Sequence, residues 1–274
     1  MSAPDHETVE LSTRFMASPF GEALALALKR RGLALEYMCD LRDRVAHRLI
    51  AEYGAMYVAA ESVRVPPRCI FLGEDEVQKF QAETETSAEL IGEAKIELQR
   101  AAMNALLDAC AEAQTQGLEI TPRGGAEAAR RSYTDTVRLW ASRFEPALEH
   151  WVAQGQIDMD EAARLRALMP TDQIAAVLKL EERGIFFSKY FSKSILYSVA
   201  APGASQHLAM LAFDAAEFAE ARVREILARH GWFQTVQSDL PHFTFLGVRE
   251  KELPTLGLRR VEEHGQIFWI PNVA

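Results

Sequence analysis

Up to Gly184 the apolar residues of this chain recur mostly every three or four positions, whereas beyond it they gather in short β-branched and aromatic runs bounded by turn residues. The first part therefore reads as helices. Ile91, Ala94, Leu98, Ala102, Leu106 and Ala109 predict one long helix from Glu89 to Ala113, stopped by Gly117. Ala126, Ala129, Tyr133, Val137, Trp140, Phe144, Leu148 and Trp151 predict a second, introduced by Thr121–Gly125 and bent near Pro146. Two shorter helices are expected, one opening at Asp158 and ending before Pro170, the other capped by Thr171 and stopped at Gly184. Beyond Gly184, strands are expected at Ile185–Phe187, Ile195–Val199, Trp232–Val236, His242–Val248 and Gln266–Ile270, with a helix over Ala215–Arg229 closed by His230-Gly231. No repeat and no Pro/Gly/Ser linker interrupts the chain.

Composition narrows the classes of function. The 274 residues are 49% hydrophobic, enough for a real core, and the longest apolar stretches fall short of the ~20 residues that span a bilayer. Thirty basic against thirty-nine acidic residues leave a net charge of −9, so no global basic field attracts nucleic acid. Trp140, Phe144 and Trp151 have core spacing and lack the basic neighbours of a base-stacking platform. Cys39, Cys69 and Cys110 are an odd count without Cys-x-x-Cys spacing, which argues against a disulfide framework and a thiolate zinc knuckle while leaving room for one disulfide and one free thiol. Cys69, followed by Ile70-Phe71-Leu72, reads as a buried strand thiol. The basic residues Lys29–Arg31 follow the apolar run Ala23–Leu28, the reverse of a secretory leader. The expected location is cytoplasmic, or periplasmic or extracellular if a leader has been removed.

Several catalytic signatures are missing: Gly-x-Gly-x-x-Gly, the Gly-Lys-Ser/Thr phosphate loop and His-Glu-x-x-His. Asp158–Glu161 lacks the glycine and terminal glutamate of a calcium loop and reads as a helix start. Ser205 is one residue short of a nucleophile elbow, with His207 where the second glycine belongs, so it is expected to hydrogen-bond locally and help orient a ligand. His230 reads as a helix C-terminal cation, His264 as a turn residue between strands, and His47 and His150 as surface residues. What remains lies near the C-terminus: His207, then Asp214 after six residues, then Asp239-Leu240-Pro241-His242. Two imidazoles and a carboxylate are a common zinc shell with an open position for water, and a further carboxylate can take a proton from that water.

The segments Ser205-Gln206-His207…Ala212-Phe213-Asp214 and Asp239-Leu240-Pro241-His242-Phe243 resemble the motifs of the D-Ala-D-Ala carboxypeptidase (VanY-like) zinc peptidases, a family related in fold to the Hedgehog signalling domain and lysostaphin-type peptidases. The second segment looks like the Asp-x-Pro-His-Phe variant of phage endolysins. The resemblance covers roughly residues 194–247, more weakly from about residue 121, and the first hundred residues contribute nothing to it. It implies that His207, Asp214 and His242 bind Zn²⁺, that Asp239 is the catalytic base, and that the substrate is a short peptide of the peptidoglycan-stem kind. Arg131, in Arg130-Arg131-Ser132, partly matches the family's Tyr-Arg-Ser and is implied to hold substrate or the developing oxyanion; the competing reading is a solvated basic helix face. Met210 stands where the family has glycine, which motivates an alternative, an inactive zinc-containing module that binds a peptide or partner. A third reading is a helical scaffold acting through the first hundred residues. The expected fold is α+β: a small antiparallel sheet with flanking helices as a zinc peptidase core over 119–274, preceded by a mainly helical extension over 1–118.

Overall fold

The computed structural model describes residues 6–274. Four helices come first: α1 (His6–Met16), α2 (Pro19–Arg30), the single turn α3 (Leu35–Met38) and α4 (Arg44–Tyr53). After α5 (Glu74–Ala82), the strands β1 (Thr86–Ile91) and β2 (Ala94–Gln99) form a hairpin that runs straight into α6 (Arg100–Thr115). Helices α7 (Tyr133–Ala153), α8 (Met159–Ala167) and α9 (Pro170–Glu181) follow. The last part holds β3 (Ala212–Asp214), α10 (Ala221–Arg229), β4 (Trp232–Phe233), β5 (His242–Phe245), β6 (Leu258–Glu263) and β7 (Gln266–Pro271). The fold is mixed α and β, its sheets small and antiparallel: β1-β2, β3-β5-β4 and β6-β7. No helix among the described residues is long and apolar enough to cross a membrane.

Four expectations are corrected. The helix over Glu89–Ala113 is instead a hairpin and a helix, because Ile91-Gly92-Glu93-Ala94 makes a two-residue turn with Gly92 at φ +58° and pairs Ile91 with Ala94. Ile185–Phe187 and Ile195–Val199 are not strands. Ile185, Phe187, Ile195 and Leu196 are buried, but the amides of Phe187 and Ile195 are taken by the Glu181 carboxylate at 3.3 and 2.6 Å, leaving no ladder for a neighbouring strand. Cys69 is not a strand thiol; it is disulfide-bonded to Cys39, and Cys110 is free. The long helix expected from Ala126 starts only at Tyr133: Ala126–Ala128 is a separate 3₁₀ turn, and Ser132 caps α7 through a capping box with Asp135. Asp158 caps α8 as expected, and α9 begins at Pro170, one residue before the expected Thr171 cap.

The main core joins both halves of the chain. Phe20, Leu24 and Leu28 of α2, Ile96 and Leu98 of β2, and Met103 and Leu106 of α6 share one apolar cluster with Phe213, Trp232, Phe243 and Phe245. Burying each of these side chains contributes about 1.5–3 kcal/mol. A second cluster packs α7, α8 and α9 through Trp140, Phe144, Leu165, Ile174 and Val177 against Phe187 and Ile195. Hydrogen bonds reinforce the first union around the turn preceding β3. Gln99 donates to the carbonyls of Arg64 and Ala209, both at 2.7 Å, while Gln81 donates to those of Arg131 and Leu208 at 2.9 and 3.1 Å. Phe71 N–H donates to the carbonyl of Gly203, whose φ of +80° and approach to the Phe71 backbone leave no room for a Cβ.

Candidate metal centre

Strand β3 ends at Asp214 and β5 begins at His242, and the two residues are directly paired across the antiparallel ladder. Alternation then sorts the side chains: His242 and Thr244 share the face of Asp214, while Phe213, Phe243 and Phe245 fill the opposite, core face. His207 arrives from the 3₁₀ turn Gln206–Ala209, after which Met210 turns the chain into β3 with left-handed backbone angles, φ +55° and ψ +36°. That conformation is the reason a glycine suits this position. The Met210 side chain is fully buried and does not line the cleft described below.

The three predicted ligands come together. His207 Nε2 lies 3.1 Å from His242 Nδ1 and 3.2 Å from Asp214 Oδ1, and His242 Nδ1 lies 3.2 Å from the same oxygen. Tetrahedral coordination at about 2.0 Å separates neighbouring donors by about 3.3 Å, so this triangle fits one small divalent ion. It is the one group among the described residues with the donors to hold a metal.

The outer atoms decide where the protons are. His207 Nδ1 lies 3.1 Å from the backbone carbonyl of Ala129, which can only accept, so Nδ1 carries the hydrogen and Nε2 presents a lone pair. Gln206 Nε2 donates to the carbonyl of Tyr53 at 2.8 Å, which turns Gln206 Oε1 toward His242 Nε2 at 2.8 Å and Thr244 Oγ1 at 2.5 Å. His242 Nε2 is thereby the donor, so in the neutral ring it is Nδ1 that presents the lone pair. Thr235 Oγ1 extends the chain by contacting Thr244 Oγ1 at 2.6 Å. Arg131 Nη2 holds Asp214 Oδ2 at 2.7 Å and leaves Oδ1 facing the histidines. In the neutral tautomers that these outer partners select, three lone pairs converge with no hydrogen between them, an arrangement that a cation relieves.

Electrostatics sharpen this picture. Burial, helped by the nearby Arg131 charge, brings the His207 pKa down to about 4 against the pull of Asp214, so the ring is neutral at pH 7. For Asp214, burial acts upward, but His207 and His242 outweigh it and hold the carboxyl well below its usual range.

The centre borders a cleft of about 190 Å³ lined by His207, His242, Gln206, Arg131, Asp239 and Tyr53 among others. The Val236–His242 turn carries Asp239 to the cleft, with Asp239 N–H on the Val236 carbonyl and His242 N–H on that of Asp239, both at 3.1 Å. Asp239 is open to solvent along one side, yet crowding by the surrounding protein raises its pKa; His242 opposes, Asp214 adds, and Arg131 opposes again. Arg131 also donates through Nε to the Glu127 carbonyl at 2.9 Å and is largely buried, not a solvated helix face. The hydrogen bond that orients the His242 ring comes from Gln206, with Ser205 only lining the cleft. Gln206 is the residue that sequence reasoning missed. It sits between the two noted residues Ser205 and His207, but a buried glutamine has no motif of its own.

No protein family, curated protein or solved structure matches this chain.

Proposed function

We propose that the chain is a zinc-dependent peptidase hydrolysing a short peptide, of the peptidoglycan-stem kind cut by D-Ala-D-Ala carboxypeptidases. The observation carrying this reading is the convergence of three lone pairs, each aimed by its own outer hydrogen bond, beside a cleft that Asp239 also lines. Two imidazoles with one carboxylate favour zinc among the common divalent ions. When bound there, such an ion supplies a Lewis acid and draws the pKa of a water toward ~7.

The chain's own groups do the rest. Asp239 takes a proton from the attacking water and returns it to the leaving amine, and its raised pKa brings it closer to that two-way task. Arg131, fixed by Asp214 and the Glu127 carbonyl, keeps its positive charge at the cleft wall where the oxyanion grows. At about 190 Å³ the cleft is smaller than the ~300–1,000 Å³ of sites for drug-sized ligands, which suits small residues flanking the scissile bond. Met210, buried away from the cleft, gives no ground for an inactive variant.

Metal analysis of purified protein should give about one zinc per chain, lost in His207→Ala and His242→Ala. Asp239→Asn should keep the metal and lower hydrolysis of a D-Ala-D-Ala-terminated peptide by ~10²–10⁴-fold. Full zinc content after substituting both histidines overturns the ligand assignment, and undiminished turnover in Asp239→Asn overturns the base.

A further inference from the structure

Next to the metal cleft, and sharing Tyr197, Ser198 and Ser238 with it, lies a second hollow of about 410 Å³. Its wall is formed largely by the loop Ser188–Ser198, and its cations are Arg143, Lys189 and Lys193. The chain as a whole is strongly acidic, so a local surplus of positive charge here stands out. None of the three cations has an acidic partner among the described residues. Lys189 Nζ lies 5.5 Å from the Tyr190 ring centre and Lys193 Nζ 5.0 Å from that of Tyr197, contacts that hold an ammonium without neutralising it. Arg143 Nη1 contacts only Ser142, and its buried Nε has no partner. The acid of this hollow, Glu263, is engaged by Gln237 and by His264 at 3.4 Å.

The loop is also built rather than loose. Ser188 Oγ accepts from the amides of Ser192 and Lys193 at 3.3 and 3.0 Å, Ser198 Oγ accepts from Lys189 N–H at 3.0 Å, and the Glu181 carboxylate fixes both flanks. Phe191, at the loop tip with φ +56°, stacks on His150 at 4.3 Å. The lysines are therefore presented on a prepared frame, which reduces the ordering cost of binding.

Resting on the peptidase reading for its substrate class, we infer that this hollow is an anion subsite: the peptide carries a carboxylate beyond the residues flanking the scissile bond, and Lys189, Lys193 and Arg143 receive it. The test uses the full zinc-loaded chain and two N-acetylated short peptides that differ only in a glutamate or a glutamine outside the cleft. Binding is measured by calorimetry, and peptide integrity is checked by mass spectrometry. The acidic peptide should bind roughly five- to tenfold more tightly, the preference should fade with added salt, and Lys189→Ala/Lys193→Ala should abolish it without weakening the neutral peptide. Equal binding of the two peptides by the unsubstituted chain, or an unchanged preference in the double variant, overturns the inference. Selective binding with neither peptide ever cleaved supports the subsite and counts against the peptidase reading, so the two failures are separable.

Discussion

Replacing Gln206 with alanine tests the tautomer argument on which the candidate metal centre depends. The glutamine amide joins His242 Nε2, Thr244 Oγ1 and the Tyr53 carbonyl within a buried pocket. In Gln206→Ala the Thr244 hydroxyl can still turn to Thr235, but the His242 N–H and the Tyr53 carbonyl lose their partners. Each such orphan costs about 1–3 kcal/mol, which gives a stability loss of about 2–6 kcal/mol. The imidazole, no longer held, presents Nδ1 to the site only part of the time, and losing such an outer partner typically weakens metal affinity by ~10–100-fold. At zinc concentrations a thousand times the original Kd, a thirtyfold weaker site cuts the zinc-induced stabilisation from about 4 to about 2 kcal/mol. Competition against a chromogenic chelator reads the affinity, and melts with and without zinc read the linkage. Thr244→Val, which spares the imidazole contact, should keep its affinity within about threefold. A folded Gln206→Ala that binds zinc as tightly as the unsubstituted chain refutes the claim that this amide sets the ring.

Other outcomes follow from the same geometry. In metal-free protein, His207 has a folded pKa of about 4, below its usual 6.5, so the folded state binds fewer protons than the unfolded one between those values. Stability should therefore fall by about 3 kcal/mol as pH drops from 6.5 toward 4, and denaturant titrations of His207→Gln should show a flatter profile. Glu181 is displaced the other way, its pKa raised by burial against the hydrogen bonds it accepts. Glu181→Gln should accordingly gain more at pH 7 than at pH 4 when thermal midpoints are compared. Reducing the Cys39–Cys69 bond, whose partners are 30 residues apart, should cost about 3–4 kcal/mol from loop entropy; equal melts with and without dithiothreitol would count against the bond.

The triad was legible in the sequence because its members sit at strand ends and a turn, where short-range spacing translates directly into position: Asp214 and His242 pair across one ladder. The carbonyls of Ala129 and Tyr53 were not legible, since any residue supplies a carbonyl and only the fold brings these two to the histidines. The β1-β2 hairpin was misread as helix because Ile91, Ala94 and Leu98 satisfy the helical period by coincidence, and Gly92 was the overlooked turn signal. Strand β6 was missed because Leu258–Glu263 is mostly charged and exposed, so alternation had little apolar contrast to act upon. The two false strands failed for the opposite reason. Their residues were apolar enough, but their amides were claimed by a buried acid, a choice that no local pattern records.

Gln81 and Gln99, from the first hundred residues, hold the carbonyls of Arg131, Leu208 and Ala209, and Tyr53 supplies the acceptor that orients Gln206. The segment that carries His207, Asp214 and His242 is therefore not a portable cassette that could be excised and grafted elsewhere. Its geometry is held by chain laid down long before it, so insertions near position 100 should be felt at the His207–Asp214–His242 triangle as surely as changes beside His207.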